Sequence, residues 1–265
     1  MKKFILIFML MIFSQLMCIS AEKYTIEFNS GVYHITIPYS PHSNHIKFLL
    51  SENLVTNQTF HKHSGAEFTI NTGFFDPKNE KTISFIFTDG ILAESPLFNE
   101  NLVNNPYLMM NWDKIANRPE FRVLKIDDKY VYDIANHETS YEGDLVTSAQ
   151  GGPMLLPTMD LEKEFFVVKE DNKVVRESAS VLHKCARTLI GLKGQDVHIF
   201  IVTDKNPMTI DEARDLCVIS GLDKAMAFDG GSSTSFDYKN KIHIVSTGIK
   251  GDDTGRKLKS FMIFR

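Results

Sequence analysis

Short apolar blocks recur between polar turns along most of this chain. The segments 24–28, 32–37, 46–50, 67–71, 83–88, 121–126, 165–169, 197–203, 225–228, 242–246 and 261–264 are rich in β-branched and aromatic residues and bounded by polar turns, which predicts strands. One helix is well specified. Thr209 and Glu212 have capping-box spacing, Ala213, Leu216 and Cys217 fall on one face, and Gly221 supplies a stop. Because this helix separates the strands 197–203 and 225–228, the region reads as a βαβ unit with Asp204 and Asp229 leaving at the strand ends. If those strands run parallel, both acids lie along one sheet edge, where ligands commonly bind.

The stretch 99–113 breaks the pattern. It mixes Pro106 and repeated asparagines with Tyr107, Leu108, Met109, Met110 and Trp112 in no clean period, as either a substrate-facing lid or a loop folded onto the core would. Tyr107 and Trp112 are the rings there on which a sugar could stack.

Residues 1–20 stand apart from the fold. Lys2 and Lys3 precede the apolar run 4–13, and Cys18, Ile19 and Ser20 offer a cleavage region, so we expect a signal peptide and a secreted or periplasmic domain at 21–265. The run is short and interrupted by Ser14 and Gln15, which is poor for a spanning helix. Without Lys2 and Lys3 the formal net charge falls two units below the −4 of the 265-residue chain, and no basic stripe remains for nucleic acid. No linker or repeat divides the rest. Cys185 and Cys217 allow either a disulfide or two buried thiols. His61 and His63 could bind a metal as an alternating pair on a strand, but no third ligand with zinc-like spacing follows and the polar loop context favours solvated histidines. The chain also lacks a dinucleotide glycine fingerprint and a Gly-x-Ser-x-Gly elbow, so no cofactor is expected.

The densest chemistry lies at 225–234, where an apolar run leads into Asp229, Gly230, Gly231, Ser232, Ser233 and Thr234. Adjacent glycines after a strand let backbone N–H groups converge into an anion-binding nest. The three hydroxyls add rotatable donors, and Asp229 can accept or deliver a proton. An ordinary polar turn has the same residue types.

Five segments in order resemble the phosphodiester glycosidase family over 68–264. Asn71-Thr72-Gly73-Phe74-Phe75 is similar to its Asn-Gly-Gly-aromatic-Phe element, Asp89-Gly90 to the turn that follows, and Gly151-Gly152-Pro153 to a glycine-proline strand entry. Arg187-Thr188-Leu189-Ile190-Gly191 resembles Arg-Thr-Ala-Ile-Gly, and Asp229 to Thr234 resembles an Asp-Gly-Gly-Gly-Ser-Thr loop. Thr72 and Ser232 stand where the family has glycine. The resemblance implies an α+β fold, strand-rich, with a mixed sheet core and a few helices, and hydrolysis of a sugar 1-phosphodiester.

The matched residues then take candidate roles. Arg187 is the expected two-pronged phosphate clamp. Asp229 is the expected proton-transfer group, with Asp204 as its second carboxylate. Asn71, Thr188, Gly230, Gly231, Ser232, Ser233 and Thr234 are expected to bind substrate, and Arg256 is placed where the family has a basic residue. Two functions are compatible with this set: cleavage of the glycosidic bond of a sugar phosphodiester, or binding of an anionic glycan without turnover.

Overall fold

The computed structural model describes residues 17–21, 23–246 and 255–265. Three larger antiparallel sheets carry the fold. The first runs in the spatial order Met17–Ala21, Tyr24–Asn29, Val32–Ile37, Asp196–Val202, Arg187–Lys193, Lys224–Ala227, Met154–Leu156. The second runs Ile91–Glu94, Ile86–Thr88, Asp144–Gln150, Pro119–Ile126, Lys129–Asn136. The third runs Ile242–Val245, Ser235–Tyr238, Phe68–Asn71, Leu258–Phe264, Ile46–Val55, and Val167–Glu170 with Lys173–Glu177 forms a separate hairpin. Of the expected leader, residues 1–16 lie outside the described residues. Residues 17–20 belong to the strand that pairs with Tyr24–Asn29.

Alternation becomes packing because the three sheets share one interior. In Val32–Ile37 every second residue is buried. Ile26, Ile35, Ile199 and Ile201 of the first sheet meet Phe121, Val123 and Ile134 of the second and Phe48, Phe68 and Phe236 of the third in a single cluster. Phe68 and Phe264 stack with ring centroids 4.8 Å apart, and Phe48 sets its ring against both Phe121 and Phe228, fixing the backbone that leads into Asp229. The strand Asp196–Val202 is apolar on both faces because Phe200 and Val202 turn outward, under the helix Ile210–Ile219 with its buried Ala213 and Cys217.

That helix forms as its residues dictate. Thr209 Oγ1 accepts from the Glu212 N–H at 3.2 Å, Glu212 Oε2 accepts from the Thr209 N–H at 2.8 Å, and Gly221 follows with φ +72°. The flanking strands Asp196–Val202 and Lys224–Ala227 are both antiparallel to Arg187–Lys193, which lies between them. They therefore run parallel to each other only at one remove, in a sheet whose every neighbouring pair is antiparallel where a mixed sheet was expected. Asp204 and Asp229 leave at the same edge, where Arg187 begins its own strand.

Two local expectations change. His61 and His63 sit on a helix, Asn57–Ser64, capped by Thr56 and ended by Gly65 in a left-handed conformation. His61 is buried and His63 is exposed, and among the described residues no group of three His, Cys, Asp or Glu could hold a metal ion. The stretch 99–113 folds into helical turns, Glu100–Val103, Pro106–Met109 and Trp112–Ala116. Two of its asparagines are N-caps: Asn99 and Asn105 accept from the N–H groups of Leu102 and Leu108. Cys185 and Cys217 are free thiols.

The capping box anchors the helix that sets the parallel relation. Thr209→Ala should lower stability by about 1 kcal/mol, read as a shift of the denaturant midpoint at unchanged slope; an unmoved midpoint would show that the cap holds nothing.

Candidate active site

Asn71 is where the sheets are joined. It ends the strand Phe68–Asn71 and is buried. Its Nδ2 donates to the Asp229 carbonyl at 2.5 Å, and its Oδ1 accepts from the Thr188 hydroxyl at 2.7 Å and from the Ser235 N–H at 3.1 Å. One amide thus ties a third-sheet strand to the first-sheet strand Arg187–Lys193 and to both ends of the 229–234 loop. The next residues continue the seam. The Asp229 N–H donates to the Thr72 carbonyl at 2.9 Å, and Thr72 Oγ1 donates to Ser260 Oγ at 2.9 Å. Gly73 has no room for a side chain, since a Cβ would stand 2.7 Å from the Cβ of Ser84.

The 229–234 loop is not an open nest. The N–H groups of Gly231, Ser233 and Thr234 donate to the carbonyls of Ala186, Gly230 and Gly231, and that of Asp229 is held by Thr72. Only Gly231 in the loop has positive φ, +58°; Ser232 lies within the single 3-10 turn Gly231–Ser233 and tolerates its side chain. The hydroxyls do face charge. Arg256 Nη1 donates to Ser232 Oγ at 3.2 Å and to Ser233 Oγ at 3.3 Å, while its guanidinium lies 4.9 Å from the centre of the Phe75 ring.

Asp229 and Arg256 line a cavity of about 250 Å³ together with Arg118, Arg176, Ser178, Ala179, Phe74, Phe75, Phe166 and four aliphatic side chains. No motif marked Arg118 or Arg176 in the sequence. Arg118 is buried 3.9 Å above the Phe166 ring, with Nε donating to the Glu164 carbonyl and Nη2 to that of Phe165. Arg176 lies 4.1 Å from the centre of the Phe165 ring and donates from Nη1 to the Phe165 carbonyl at 2.9 Å. Both guanidiniums are held by ring faces and one short backbone stretch. Beneath the wall, the Glu164 carboxyl accepts the Met154 N–H from both oxygens, and burial pushes it up to about 8.

Of the residues expected at the site, the structure gathers Asp229, Arg256, Ser232 and Ser233. Asn71, Thr188 and Thr234 are buried behind them as supports. Arg187 is not at the cavity. It is 3% exposed, with Nε donating to the Met208 carbonyl and Nη2 to those of Ser180, Val181 and His183. That geometry anchors the segment 180–185 beside the loop. Asp204 opens on a different cavity, of about 370 Å³, with Lys205, Tyr33 and His243, and accepts from Ser246 Oγ at 3.0 Å. The two acids share a sheet edge but no cavity. Asp89 stands at an exposed turn, paired with Lys47 at 2.7 Å.

Burial pushes the Asp229 carboxyl up to about 6. It outweighs the Ser233 hydrogen bond, the Arg256 charge and the Gly230 N–H, each of which favours the carboxylate. Three guanidiniums and a carboxyl of raised pKa line one cavity, an arrangement able to hold an anion beside a group that can exchange a proton near neutrality.

The sequence model of the phosphodiester glycosidase family matches residues 64–265. Among solved structures, the catalytic domain of zebrafish N-acetylglucosamine-1-phosphodiester alpha-N-acetylglucosaminidase, auto-inhibited by its pro-peptide, is similar with a TM-score of 0.65 at 14% identity, over 94% of this chain and 81% of that one. A protein from Burkholderia pseudomallei described as exported gives 0.63 at 10% identity, over 91% and 74% of the two chains. A Synechocystis protein gives 0.57 at 11% identity, over 94% of this chain and 61% of that one. These likenesses are of fold. Among curated protein sequences none matches.

Arg187→Lys tests the placement of that side chain. Lysine cannot serve four carbonyls, so the variant should lose about 2–3 kcal/mol of stability, seen as a lowered urea midpoint. An unmoved midpoint with collapsed ligand binding would return Arg187 to the cavity.

Proposed function

The chain belongs to the phosphodiester glycosidase family, and we propose that it hydrolyses the glycosidic bond of a sugar 1-phosphodiester at the cavity of Asp229. The observation that carries this reading is a carboxyl of raised pKa set among three arginines in one cavity. Arg256, Arg118 and Arg176 hold the phosphate and take up the charge that builds on it as the C1–O bond breaks. Water adds to the anomeric carbon, its proton passes to Asp229, and free sugar and a phosphomonoester leave. A phosphomonoester has a second pKa near 6, so it departs without needing a strong acid to protonate it. One carboxylate therefore suffices, used as the base.

Ser233 and the Gly230 N–H orient the Asp229 carboxyl. Asn71 fixes the backbone from which it projects. Arg187 is proposed as a support of the loop and Asp204 as a residue outside the reaction. The likeness to a protein described as exported supports reading the N-terminal run as a leader, and we place the domain outside the cytoplasm. Among the described residues no helix is long and apolar enough to cross a membrane.

A panel of sugar 1-phosphodiesters, assayed for free sugar and phosphomonoester, tests activity; binding of every member without turnover would leave the glycan-binding alternative. Asp229→Asn should lower kcat by about 10²–10⁴. A base works deprotonated, so kcat/KM should rise tenfold per unit below pH 6 and level off above it; a profile falling through that range would make Asp229 an acid. The same shift reads on stability. A folded pKa above the unfolded value means the native state binds the proton more tightly, so native stability falls as pH rises from about 4 through about 6. Asp229→Asn escapes this loss and should be no less stable than the wild type at pH 7, by thermal denaturation.

A further inference from the structure

Part of the lining of the Asp229 cavity is aliphatic. Rings in 99–113 were the expected platform for a sugar, yet Trp112 packs on Phe85 with centroids 6.3 Å apart and Tyr107 on Phe165 at 5.4 Å, and neither lines the cavity. The helical turns present Leu102, Leu108 and Ile115 instead, with Ile83 beside them. Leu102 and Ile115 are each 4% exposed, and Leu108 is half-buried.

Bond cleavage requires the anomeric carbon at Asp229 and the phosphate beside the arginines. What remains for the aliphatic wall is whatever the phosphate carries on its other oxygen. A second hexose there would bring several hydroxyls, each needing a partner on leaving water. Apart from its charged groups the lining offers one neutral hydroxyl, Ser178, among the described residues. An alkyl group needs no partner and gains from burial against four aliphatic side chains. We propose, resting on the hydrolase reading above, that the phosphate of the substrate carries an apolar chain, alkyl or prenyl, and that the turns 100–116 form the wall that receives it. The substrate class is a sugar joined through phosphate to a lipid-like alcohol.

The segment is built for such a wall. Asn99 and Asn105 start the first two turns by capping, so Leu102 and Leu108 hold equivalent positions, each three residues beyond its cap. Asn99 is itself buried, and its Nδ2 donates to the Thr82 carbonyl at 3.3 Å, which docks the segment beside Ile83.

Binding tests the occupant without needing turnover. The full chain is titrated with octyl phosphate, below its aggregation range, and with hexose 6-phosphate. Octyl phosphate should bind at least tenfold more tightly; Leu108→Asp should abolish that advantage and Leu108→Met should keep it. Equal affinities, or an advantage that Leu108→Asp leaves untouched, overturn the proposal. In parallel, methyl, hexosyl and octyl diesters of one sugar 1-phosphate are assayed for cleavage. If none is cleaved the hydrolase reading falls, while the binding ranking still decides the occupant. If all are cleaved, kcat/KM should be highest for the octyl ester, and a hexosyl ester equal or better overturns the proposal.

Discussion

The carboxamide of Asn71 is the constraint from which the site follows. It is buried between sheets, and its oxygen and nitrogen reach a hydroxyl, an N–H and a carbonyl that belong to three separate segments. No single hydrogen bond of this kind contributes much in net terms, but Thr188 and Ser235 are buried and would lose a partner without it. The geometry is therefore strongly determined. Because the Asp229 carbonyl is one of the three partners, the direction in which the Asp229 side chain leaves the backbone is set by the junction of the sheets.

From that fixed point the division of labour among the arginines becomes intelligible. Arg187 satisfies backbone carbonyls and holds a loop. Arg118 and Arg176 also donate to carbonyls, but from the rim of the cavity, with their planar faces on the rings of Phe166 and Phe165. Arg256 touches the serines of the Asp229 loop. Positive charge thus lines the same cavity as a carboxyl whose own ionisation is opposed by burial. That carboxyl is half-ionised near pH 6, which suits a base acting beside an anionic leaving group.

Much of the fold was legible because the strands are short apolar runs buried in one shared interior, and each of the eleven expected segments overlaps a strand. Strands with mixed faces were harder to see. Lys129–Asn136 keeps only Tyr132 and Ile134 fully buried, so its period is blurred by half-exposed neighbours. The helix Asn57–Ser64 was not foreseen, because its apolar content is too low to show a helical stripe and its polar residues read as a loop. At the site, Asp229 and Arg256 could be named from their motifs. Arg118 and Arg176 could not, since they reach the cavity through tertiary folding from segments with no motif of their own. Arg187 was expected at the cavity, whereas its guanidinium is turned onto backbone carbonyls, since a motif marks a position and not which way its side chain points. The asparagines of 99–113 show a similar ambiguity, as loop formers and helix caps are the same residue type.

The central claim is that the bond broken lies between the anomeric carbon and oxygen, with phosphate departing. Hydrolysis of a sugar 1-phosphodiester in water enriched in oxygen-18, with both products analysed by mass spectrometry, addresses it directly. The account predicts the label on the anomeric hydroxyl of the released sugar and none on the phosphomonoester. Label on the phosphomonoester would mean attack at phosphorus, and the assignment of Asp229 as the base for a glycosidic cleavage would be contradicted.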